Sequence, residues 1–479
     1  MTRGRLLSSL VVGLPLVLLS PVAATANEGA NEGPAATQPD TEIGIEFERY
    51  TLANGMEVIL HRDPTAPLVA VNVWYHVGSG DEVPGKSGFA HLFEHMMFQG
   101  AKHIGEDVHF DILRQIGGTG VNGTTNSDRT NYFETVPSHE LETGLWLESD
   151  RMGYMLDLLN EKSLANQIDV VRNERRQRYD NVPYGQERFA IAAALYPEGH
   201  PYRYLTIGRH EDLEPASLDD VVGFFKKWYV PANATLTLAG DFEIDEAKAL
   251  VEKWFGSFPT LPKPDHTAVP APELSQTVRT ELDDPFARLE RIHVVWHSPA
   301  MLAPDDLELD VVAAALGSEG WGRLTKRLVD DEKIAQSVGV YQSGSGFSGS
   351  FHVMVTLTPG DEAKKRDQAF KAIDEEIAKL IAEGPTQAEL SRHVIGVESG
   401  FVWGLEEVGS RADRLQWFNH YTGDPGYLPT YLQRLRGLST GAVKAAAGRY
   451  LSKPRVEVIS KPAPKTQPTA GKPGNGGGK

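Results

Sequence analysis

Residues 88–98, Gly-Phe-Ala-His-Leu-Phe-Glu-His-Met-Met-Phe, form the segment around which the rest of the chain is interpreted. A helix repeats every 3.6 residues, so His91 and His95 lie on one helix face with Glu94 beside them. Two imidazoles at this spacing can bind one Zn²⁺, and the neighbouring carboxylate is close enough to hold a metal-bound water. The segment therefore predicts a metal-binding helix with a base beside the metal.

The alternative interpretation is that these polar residues lie on an ordinary helix. Against it, the remaining side chains make the helix apolar on nearly all sides, which predicts that it is buried. These side chains are Phe89, Leu92, Phe93, Met96, Met97 and Phe98. Because buried ionisable groups need a partner and a metal ion supplies one, we favour the metal interpretation.

A competing motif precedes this helix. Residues 80–87, Gly-Asp-Glu-Val-Pro-Gly-Lys-Ser, match the G-x-x-x-x-G-K-[ST] pattern of a phosphate-binding loop. Pro84 removes one backbone N–H from such a loop, and Asp81 and Glu82 would repel phosphate. We therefore interpret the segment as a glycine-rich loop that leads into the helix, with Ser87 near the helix N-cap.

The order His91-x-x-Glu94-His95 resembles the signature of the inverzincin peptidases, the pitrilysin or insulinase family that includes the mitochondrial processing peptidases. The resemblance implies that a Glu in a later helix is the third zinc ligand, and Glu174 stands in that place. The family often has another Glu two turns earlier, where this chain has Gln167. A neutral Gln can still hydrogen-bond a ligand and so orient it. The arginines next to Glu174 are interpreted as a solvated face.

Residues 121–126, Val-Asn-Gly-Thr-Thr-Asn, resemble an edge strand that in this family lies beside the zinc and pairs with an extended substrate. Pairing of this kind takes its affinity from main-chain hydrogen bonds, which suits a protease that cuts many sequences. Asn122 and Gly123 are therefore the candidate substrate-binding residues. The alternative is a glycine-rich, solvent-exposed hairpin edge.

Both ends of the chain differ in composition from its middle. Residues 1–26 have the basic start, short apolar run and small-residue cleavage site of a signal peptide. Residues 27–43 are interpreted as a flexible leader and residues 460–479 as a disordered tail. We expect an exported protein, periplasmic or secreted, without a membrane span. The complete lack of cysteine suits an oxidising compartment.

The composition of the chain, 41% hydrophobic and 23% charged residues, predicts a globular protein large enough for two domains. The net charge of −18 argues against a nucleic-acid partner and fits either solubility or a preference for basic substrates. We expect a peptidase domain at 44–260, a Pro-rich linker at 261–273 and a second domain at 274–459. Residue patterns predict strands at 47–52, 56–60, 68–77 and 234–240, and helices at 138–159, 163–179 and 217–227.

The second domain looks like a copy of the first. Residues 71–76 (Val-Asn-Val-Trp-Tyr-His) align with residues 292–297 (Ile-His-Val-Val-Trp-His) at an offset of 221 residues. The offset places Val312, Ala315 and Leu316 opposite His91, Glu94 and His95. Chance similarity of two strands is the alternative. If the repeat is real, the fold is α+β, with two similar domains that each have a mostly antiparallel sheet covered by helices, and only the first binds zinc.

The resembling family also implies a partner chain. Some members carry, in their second half, an Arg followed seven residues later by a Tyr, and these two residues reach the substrate. Val329 and Gln336 stand at those positions here. We therefore expect a hetero-oligomer with a homologous subunit that supplies the Arg/Tyr pair, or a homodimer.

Together these features predict a zinc metalloendopeptidase that hydrolyses peptides or unfolded protein segments. Glu94 would act as the general base on a zinc-bound water, with zinc held by His91, His95 and Glu174. The opposing hypothesis is a non-catalytic assembly or chaperone subunit stabilised by zinc. The presence of Glu94 argues against it, because a structural zinc site closes with four ligands and needs no base.

Overall fold

The computed structural model describes residues 43–106, 108–266, 269 and 272–463. The predicted signal peptide, the leader up to residue 42 and residues 464–479 of the predicted tail lie outside the described residues. Within the described part, two β-sheets with covering helices account for the two halves of the chain. The α+β fold with two similar domains is thus confirmed.

The first half supplies one sheet and the helix that carries the two histidines. Its strands are β1 (Glu48–Thr51), β2 (Glu57–Arg62), β3 (Leu68–Tyr75), β4 (Thr119–Thr125), β5 (Thr130–Pro137) and β6 (Ala234–Gly240). Its helices are α1 (Phe89–Met96), α2 (Val108–Gln115), α3 (Leu141–Tyr154), α4 (Glu161–Arg175), α5 (Glu187–Leu195), α6 (His210–Leu213), α7 (Leu218–Trp228) and α8 (Ile244–Phe255).

The second half supplies the other sheet. Its strands are β7 (Val278–Asp284), β8 (Arg291–Ser298), β9 (Ala335–Gly344), β10 (Gly349–Leu357) and β11 (Val456–Pro462). Its helices are α9 (Asp306–Gly317), α10 (Arg323–Thr325), α11 (Glu362–Glu383), α12 (Gln387–Gly404), α13 (Val408–Thr422), α14 (Leu428–Arg436) and α15 (Thr440–Leu451).

The internal repeat is visible in the strand order. The first sheet runs β1-β2-β6-β3-β5-β4 and the second runs β7-β11-β8-β10-β9. In each sheet one pair is parallel, β2 with β6 and β7 with β11, and the other pairs are antiparallel. The second sheet therefore reproduces the first without β1, and chance similarity of two strands no longer explains the alignment.

The offset of 221 residues also agrees with the side-chain alternation of a strand. Val71 and Val73 face the core of the first half, and the residues 221 positions later, Ile292 and Val294, face the core of the second half. Because neighbouring side chains point to opposite faces of a sheet, a shift of one residue would break this match. Helix α9 follows β8 as α1 follows β3.

The two halves are interlocked through one exchanged helix each. Helix α13 of the second half packs on the outer face of the first sheet, where Ala412 contacts Ala70 and Ala239. The Gln416 side chain on α13 donates hydrogen bonds to the backbone carbonyls of Asn72 and Thr235. On the outer face of the second sheet, α5 of the first half packs residues such as Ile191 against Val295 and Val458. Each sheet is thus covered on its outer face by the other half of the chain.

Two predicted boundaries were wrong. Strand β11 continues to Pro462 because residues 456–462 pair in parallel with β7, so the predicted tail cannot begin at residue 460. Ile43 was assigned to the leader, but it packs against an apolar cluster of the second half. Both errors have the same cause. The two terminal segments are short and have no periodicity of their own, and they are ordered by contacts with residues far away in the sequence. Among the described residues, no helix combines the length and apolarity needed to cross a bilayer.

Candidate metal centre

The start of α1 is fixed by a carboxylate. Gly88 is the N-cap and adopts a φ of 90°, in the region that favours glycine. The buried Glu82 side chain accepts hydrogen bonds from the backbone N–H groups of Gly88 (3.0 Å) and Ala90 (2.8 Å). Ser87 lies next to the N-cap, as predicted, and its hydroxyl donates to Asp212 (2.5 Å) rather than to the helix. Glu82 occupies the position at the helix N-terminus that a phosphate would need, which argues against the phosphate-loop interpretation.

Helix α1 uses its apolar residues to attach to the core and presents its polar ones to α4 and β4. Leu92, Phe93 and Met96 are buried in the core of the first half, which also contains Val171 from α4. The His91 side chain is only 11% exposed. The segment therefore forms the buried helix that its composition predicts. Its polar side chains are confined to one face of that helix.

The structure brings the three predicted ligands together. The Oε2 atom of Glu174 lies 3.7 Å from His91 Nε2 and 3.3 Å from His95 Nε2. The two imidazole rings are nearly perpendicular, at 81°. Tetrahedral zinc with ligands at about 2.0–2.1 Å would separate its ligand atoms by about 3.3–3.4 Å. These distances fit one zinc ion without rearrangement of the helices.

The protonation states of this cluster suit a cation. Burial, together with the neighbouring His95, lowers the pKa of His91 to about 4, which leaves the neutral imidazole that a metal requires. Burial alone would raise the pKa of Glu174, but its hydrogen bond with His95 and the nearby His91 and Arg178 bring that pKa below its usual range. Glu174 is thus held as a carboxylate.

Glu94 lies on the same helix face and is held by β4. The Thr125 hydroxyl donates a hydrogen bond of 2.5 Å to Glu94 Oε2. Burial raises the pKa of Glu94, and this hydrogen bond opposes the rise. Gly123 lies directly against the same side chain, because a Cβ atom there would come within 3.0 Å of both Glu94 Cγ and Phe98 Cε2. The neighbouring strand therefore sets where the Glu94 carboxylate can lie.

The segment that contains Asn122 and Gly123 is an edge strand, as the resemblance implies. Strand β4 pairs with β5 on one side and is the last strand of its sheet, so its other side carries unpaired backbone groups. The Asn122 side chain is exposed, whereas Gly123 is buried against Glu94. An extended peptide on this edge would lie beside Glu94.

Gln167 and Arg178 are two further residues near the proposed ligands. Gln167 is buried on α4 and forms no hydrogen bond to His91, His95 or Glu174 within the described ranges, so its orienting role stays a prediction. Arg178 is exposed, as expected for a solvated face, and its guanidinium also lies 2.9 Å from Glu174 Oε1. It sits on a π-helical turn, Arg176–Asp180, that continues α4.

Sequence reasoning missed two contacts of the cluster. The spacing of Glu174 and Arg178, four residues apart on a helix, is a signal that could have identified that pair. The hydrogen bond from Thr125 to Glu94 carries no such signal, because it joins a helix to a strand across 31 residues. It depends on how α1 packs against β4.

The described residues contain a second group of one histidine and two carboxylates, formed by His109, Glu134 and Glu148. All three are buried, but so is Arg151, whose guanidinium hydrogen-bonds both carboxylate oxygens of Glu148 and lies 3.7 Å from Glu134. Burial raises the pKa of Glu134 to about 7, although the Arg151 charge opposes this. Because an arginine already supplies the positive charge, we interpret this group as a buried ion-pair cluster.

Two family profiles match the chain in sequence. Residues 57–193 match the insulinase profile (peptidase family M16), and residues 215–397 match the profile of the peptidase M16 inactive domain. The first match contains α1 and Glu174, and the second lies mainly in the half without the histidines. The second profile begins before β6, so it also includes α7, β6 and α8 of the first half.

Similar proteins include the zinc protease PqqE of Helicobacter pylori, which is 28% identical over 75% of this chain and 80% of its own length. The protein named uncharacterized zinc protease YmxG of Bacillus subtilis is 28% identical over 77% of this chain and 87% of its own length. The crystal structure of a protease from Helicobacter pylori superposes with a TM-score of 0.79 at 27% identity, covering 88% of this chain and all of that one. Motif, repeat, fold and relatives agree that this chain belongs to the insulinase family, peptidase family M16.

Proposed function

We propose that this protein is a zinc-dependent metalloendopeptidase that hydrolyses peptides or unfolded protein segments. The observation that carries the proposal is the arrangement of His91, His95 and Glu174, whose ligand atoms fit one zinc ion, with the Glu94 carboxylate beside them. The names of the relatives, which are zinc proteases, support the metal and the reaction class.

His91, His95 and Glu174 would hold the zinc, and no further His, Asp or Glu among the described residues belongs to this group. Bound zinc would supply a Lewis acid that polarises the scissile carbonyl. The second oxygen of Glu174 is held by Arg178, which keeps the carboxylate oriented toward the histidines. This arrangement differs from a structural zinc site, where a fourth protein ligand closes the coordination shell.

Glu94 is the proposed general base. Its carboxylate takes a proton from the attacking water and passes it to the leaving amine when the peptide bond breaks. Thr125 and Gly123 hold the carboxylate in place, the first by a hydrogen bond and the second by allowing close packing. Burial of Glu94 keeps bulk water away from the carboxylate and favours proton uptake.

The free edge of β4 is the proposed binding site for the substrate backbone. A peptide in extended conformation would add a strand to the first sheet and so bring its carbonyl groups alongside Glu94. Asn122 and Gly123 would contribute through their backbone groups, and the exposed Asn122 side chain would contact the substrate. Segments held in helices or paired on both sides in a sheet cannot supply such a strand, which favours peptides and unfolded segments as substrates.

A partner subunit is part of the proposal. Gln336 is exposed on β9 and Val329 packs against the second core, so neither provides the charge or the phenol of the Arg/Tyr pair. A homologous subunit that carries the pair would complete the site. Alternatively, two copies of this chain would form a homodimer in which other residues take the place of the Arg/Tyr pair. We also propose that the mature chain is exported to the periplasm or secreted, on the basis of residues 1–26.

The test uses the mature chain and its Glu94→Gln variant. We expect about one zinc per chain in both proteins by elemental analysis, because the substituted side chain is not one of the three ligands. Cleavage of a quenched fluorescent peptide should fall at least about 10³-fold in the variant, since it cannot accept the proton. Both measurements are made alone and with a homologous subunit that carries the Arg/Tyr pair. Equal cleavage by the two proteins would remove Glu94 from the mechanism, and zinc without any cleavage in either setting would favour the non-catalytic assembly subunit.

A further inference from the structure

A cavity of about 590 Å³ opens beside the metal-ligand cluster. We name it the arginine pocket and define it by Arg178, Arg188, Arg291, Tyr184, Glu187 and Tyr341. Its residues come from the turn after α4, from the start of α5 and from strands β8 and β9. Both halves of the chain therefore contribute to its wall.

The arginine pocket is one side chain away from the candidate metal centre. Arg178 lines the pocket, and its guanidinium also lies 2.9 Å from Glu174 Oε1. The other oxygen of Glu174 is the one that faces His91 and His95. The pocket and the candidate metal centre therefore share Arg178, which lines the first and pairs with a ligand residue of the second.

The charges of the pocket are unbalanced. Three guanidinium groups and one carboxylate, Glu187, line the pocket, and Arg178 is paired with Glu174 outside it. Glu187 is 2% exposed and lies 3.2 Å from His293 Nδ1 and 3.9 Å from Arg291 Nη1. Arg188 is exposed and makes no hydrogen bond or ion pair with any residue that the structure describes. In a chain whose net charge is −18, this pocket concentrates positive charge.

Tyr184 and Arg291 are held in place in one wall of the pocket. Tyr184 has a φ of 62°, which is unfavourable for a residue with a side chain. Three contacts hold it: its N–H donates to Asp284 (2.6 Å), its hydroxyl donates to the Leu289 carbonyl (2.9 Å), and the Arg291 guanidinium stacks 3.5 Å from its ring centre. Arg291 is thereby fixed in position, which lowers the entropy cost of using it to bind an anion.

We infer that the arginine pocket binds a carboxylate of the substrate peptide. The inference rests on the proposed function, because it assigns the pocket to the same substrate. Guanidinium groups bind carboxylates through paired, charge-assisted hydrogen bonds, and Arg188 has its donors free for this. The carboxylate comes either from an Asp or Glu side chain or from the C-terminus of the peptide. Near the cleavage site the protein thus selects acidic substrates, although its overall charge would favour basic ones.

The experiment measures peptide binding to the zinc-loaded Glu94→Gln chain, in which bound peptides are not cleaved. The probes are decapeptides of Ala, Ser, Gly and Val with an uncharged fluorescent label, followed by fluorescence anisotropy. One series carries a single Glu at successive positions and an amidated C-terminus, and the second carries Gln instead. A third probe has Gln and a free C-terminal carboxylate. Each probe is also measured with Arg188→Gln and with the control Arg176→Gln added.

Arg176 is the matched control because it is an exposed arginine, as Arg188 is, that lies on the turn carrying Arg178, hydrogen-bonds Asn173 and does not line the pocket. We expect Glu at one position to bind about tenfold more tightly than Gln, the difference to vanish with Arg188→Gln, and the difference to persist with Arg176→Gln. If the free C-terminus rather than the side chain gives the gain, the carboxylate is the terminal one, and the inference stands.

Equal affinity of acidic and neutral peptides at every position, or no binding of any acidic peptide at millimolar concentration, overturns the inference. An equal loss with Arg176→Gln and Arg188→Gln overturns it as well, because a general charge effect would then suffice. The proposed function fails separately: a chain without zinc or cleavage that still prefers acidic peptides refutes the peptidase but retains the pocket. A chain that cleaves peptides without this preference refutes the pocket alone.

Discussion

Helices α1 and α9 occupy equivalent places in two sheets of the same strand order, yet they serve opposite purposes. Helix α1 carries His91, Glu94 and His95 on the face that meets α4 and β4. The corresponding residues of α9 are Val312, Ala315 and Leu316, which are fully buried in the second core. The comparison shows that one scaffold position can stabilise the fold through apolar packing or can present ligands, and that a ligand face gives up packing to do so.

The edge strands β4 and β9 also differ in how closely their glycines are packed. In β4, a Cβ on Gly123 would meet Glu94 and Phe98 at 3.0 Å. In β9, a Cβ on Gly339 would meet only the terminal methyl of Met354 at 3.1 Å and its Cβ at 4.0 Å. A long methionine side chain can move aside, whereas the Glu94 carboxylate is held by the hydrogen bond from Thr125. A larger residue is therefore tolerated less well in β4, next to α1, than in β9.

The largest expected effect comes from removing a ligand. His95→Ala leaves His91 and Glu174, and two ligands hold zinc far less tightly than three. We expect loss of zinc and a fall in peptide cleavage of at least about 10³-fold, since both the Lewis acid and the attacking water's activation depend on the metal. Elemental analysis and a peptide assay measure the two effects. Full zinc occupancy in this variant would contradict the ligand assignment.

The corresponding change in the second half should act on stability instead. Leu316→Ala removes a fully buried side chain from the core around α9, so the free energy of unfolding should fall by about 2–5 kcal/mol. Zinc content measured at low temperature should be retained. Denaturant unfolding followed by circular dichroism gives the number. A loss of zinc with unchanged stability would mean that the two helices are not equivalent as described.

A smaller effect is expected at the edge strands. Gly123→Ala should lower kcat by about 10²-fold, because a displacement of Glu94 by a fraction of an ångström spoils its alignment with the substrate. Gly339→Ala is the matched control in β9, where the Met354 side chain can yield. Steady-state kinetics of both variants test the difference. Equal rates in the two variants would show that Gly123 does not position Glu94.

The smallest effect is expected at Thr125. Thr125→Val removes the hydroxyl that donates to Glu94 but keeps the side-chain shape, and we expect kcat to fall by about tenfold. Thr125→Ser keeps the donor and should restore most of the rate. The pair of variants is compared by kcat and KM, because a role limited to folding would lower stability without this pattern. Wild-type kcat in Thr125→Val would refute the positioning role.

Much of the fold could be predicted because its signals are local. The strands predicted at 47–52 and 56–60 correspond to β1 and β2, which pair around a turn where Gly55 has a φ of 93°. The predicted strand at 234–240 coincides with β6, and Ser217 is the N-cap of α7, whose predicted range began there. The periodicity of apolar residues and the residue preferences of turns extend over only a few positions, so they can be recognised in a single sequence.

Other features could not be predicted because they join distant segments. The exchange of α5 and α13 between the halves depends on which sheet face is left uncovered, and no local pattern in either helix expresses that. The placement of Glu82 under α1 and of Ser87 on Asp212 was likewise inaccessible, because several residues in the loop were equally able to cap the helix.

The sequence by itself determined the spacing of the candidate site: His91, Glu94 and His95 share a face because the period of a helix is fixed by backbone geometry. It also determined the repeat, since side-chain alternation along a strand leaves a readable pattern. Only the tertiary structure decided the rest: that Glu174 meets the two histidines within 3.7 Å, that Thr125 holds Glu94, and that three arginines line one pocket. Those distances depend on how the helices and sheets pack, and packing is the sum of many contacts between residues far apart in the chain.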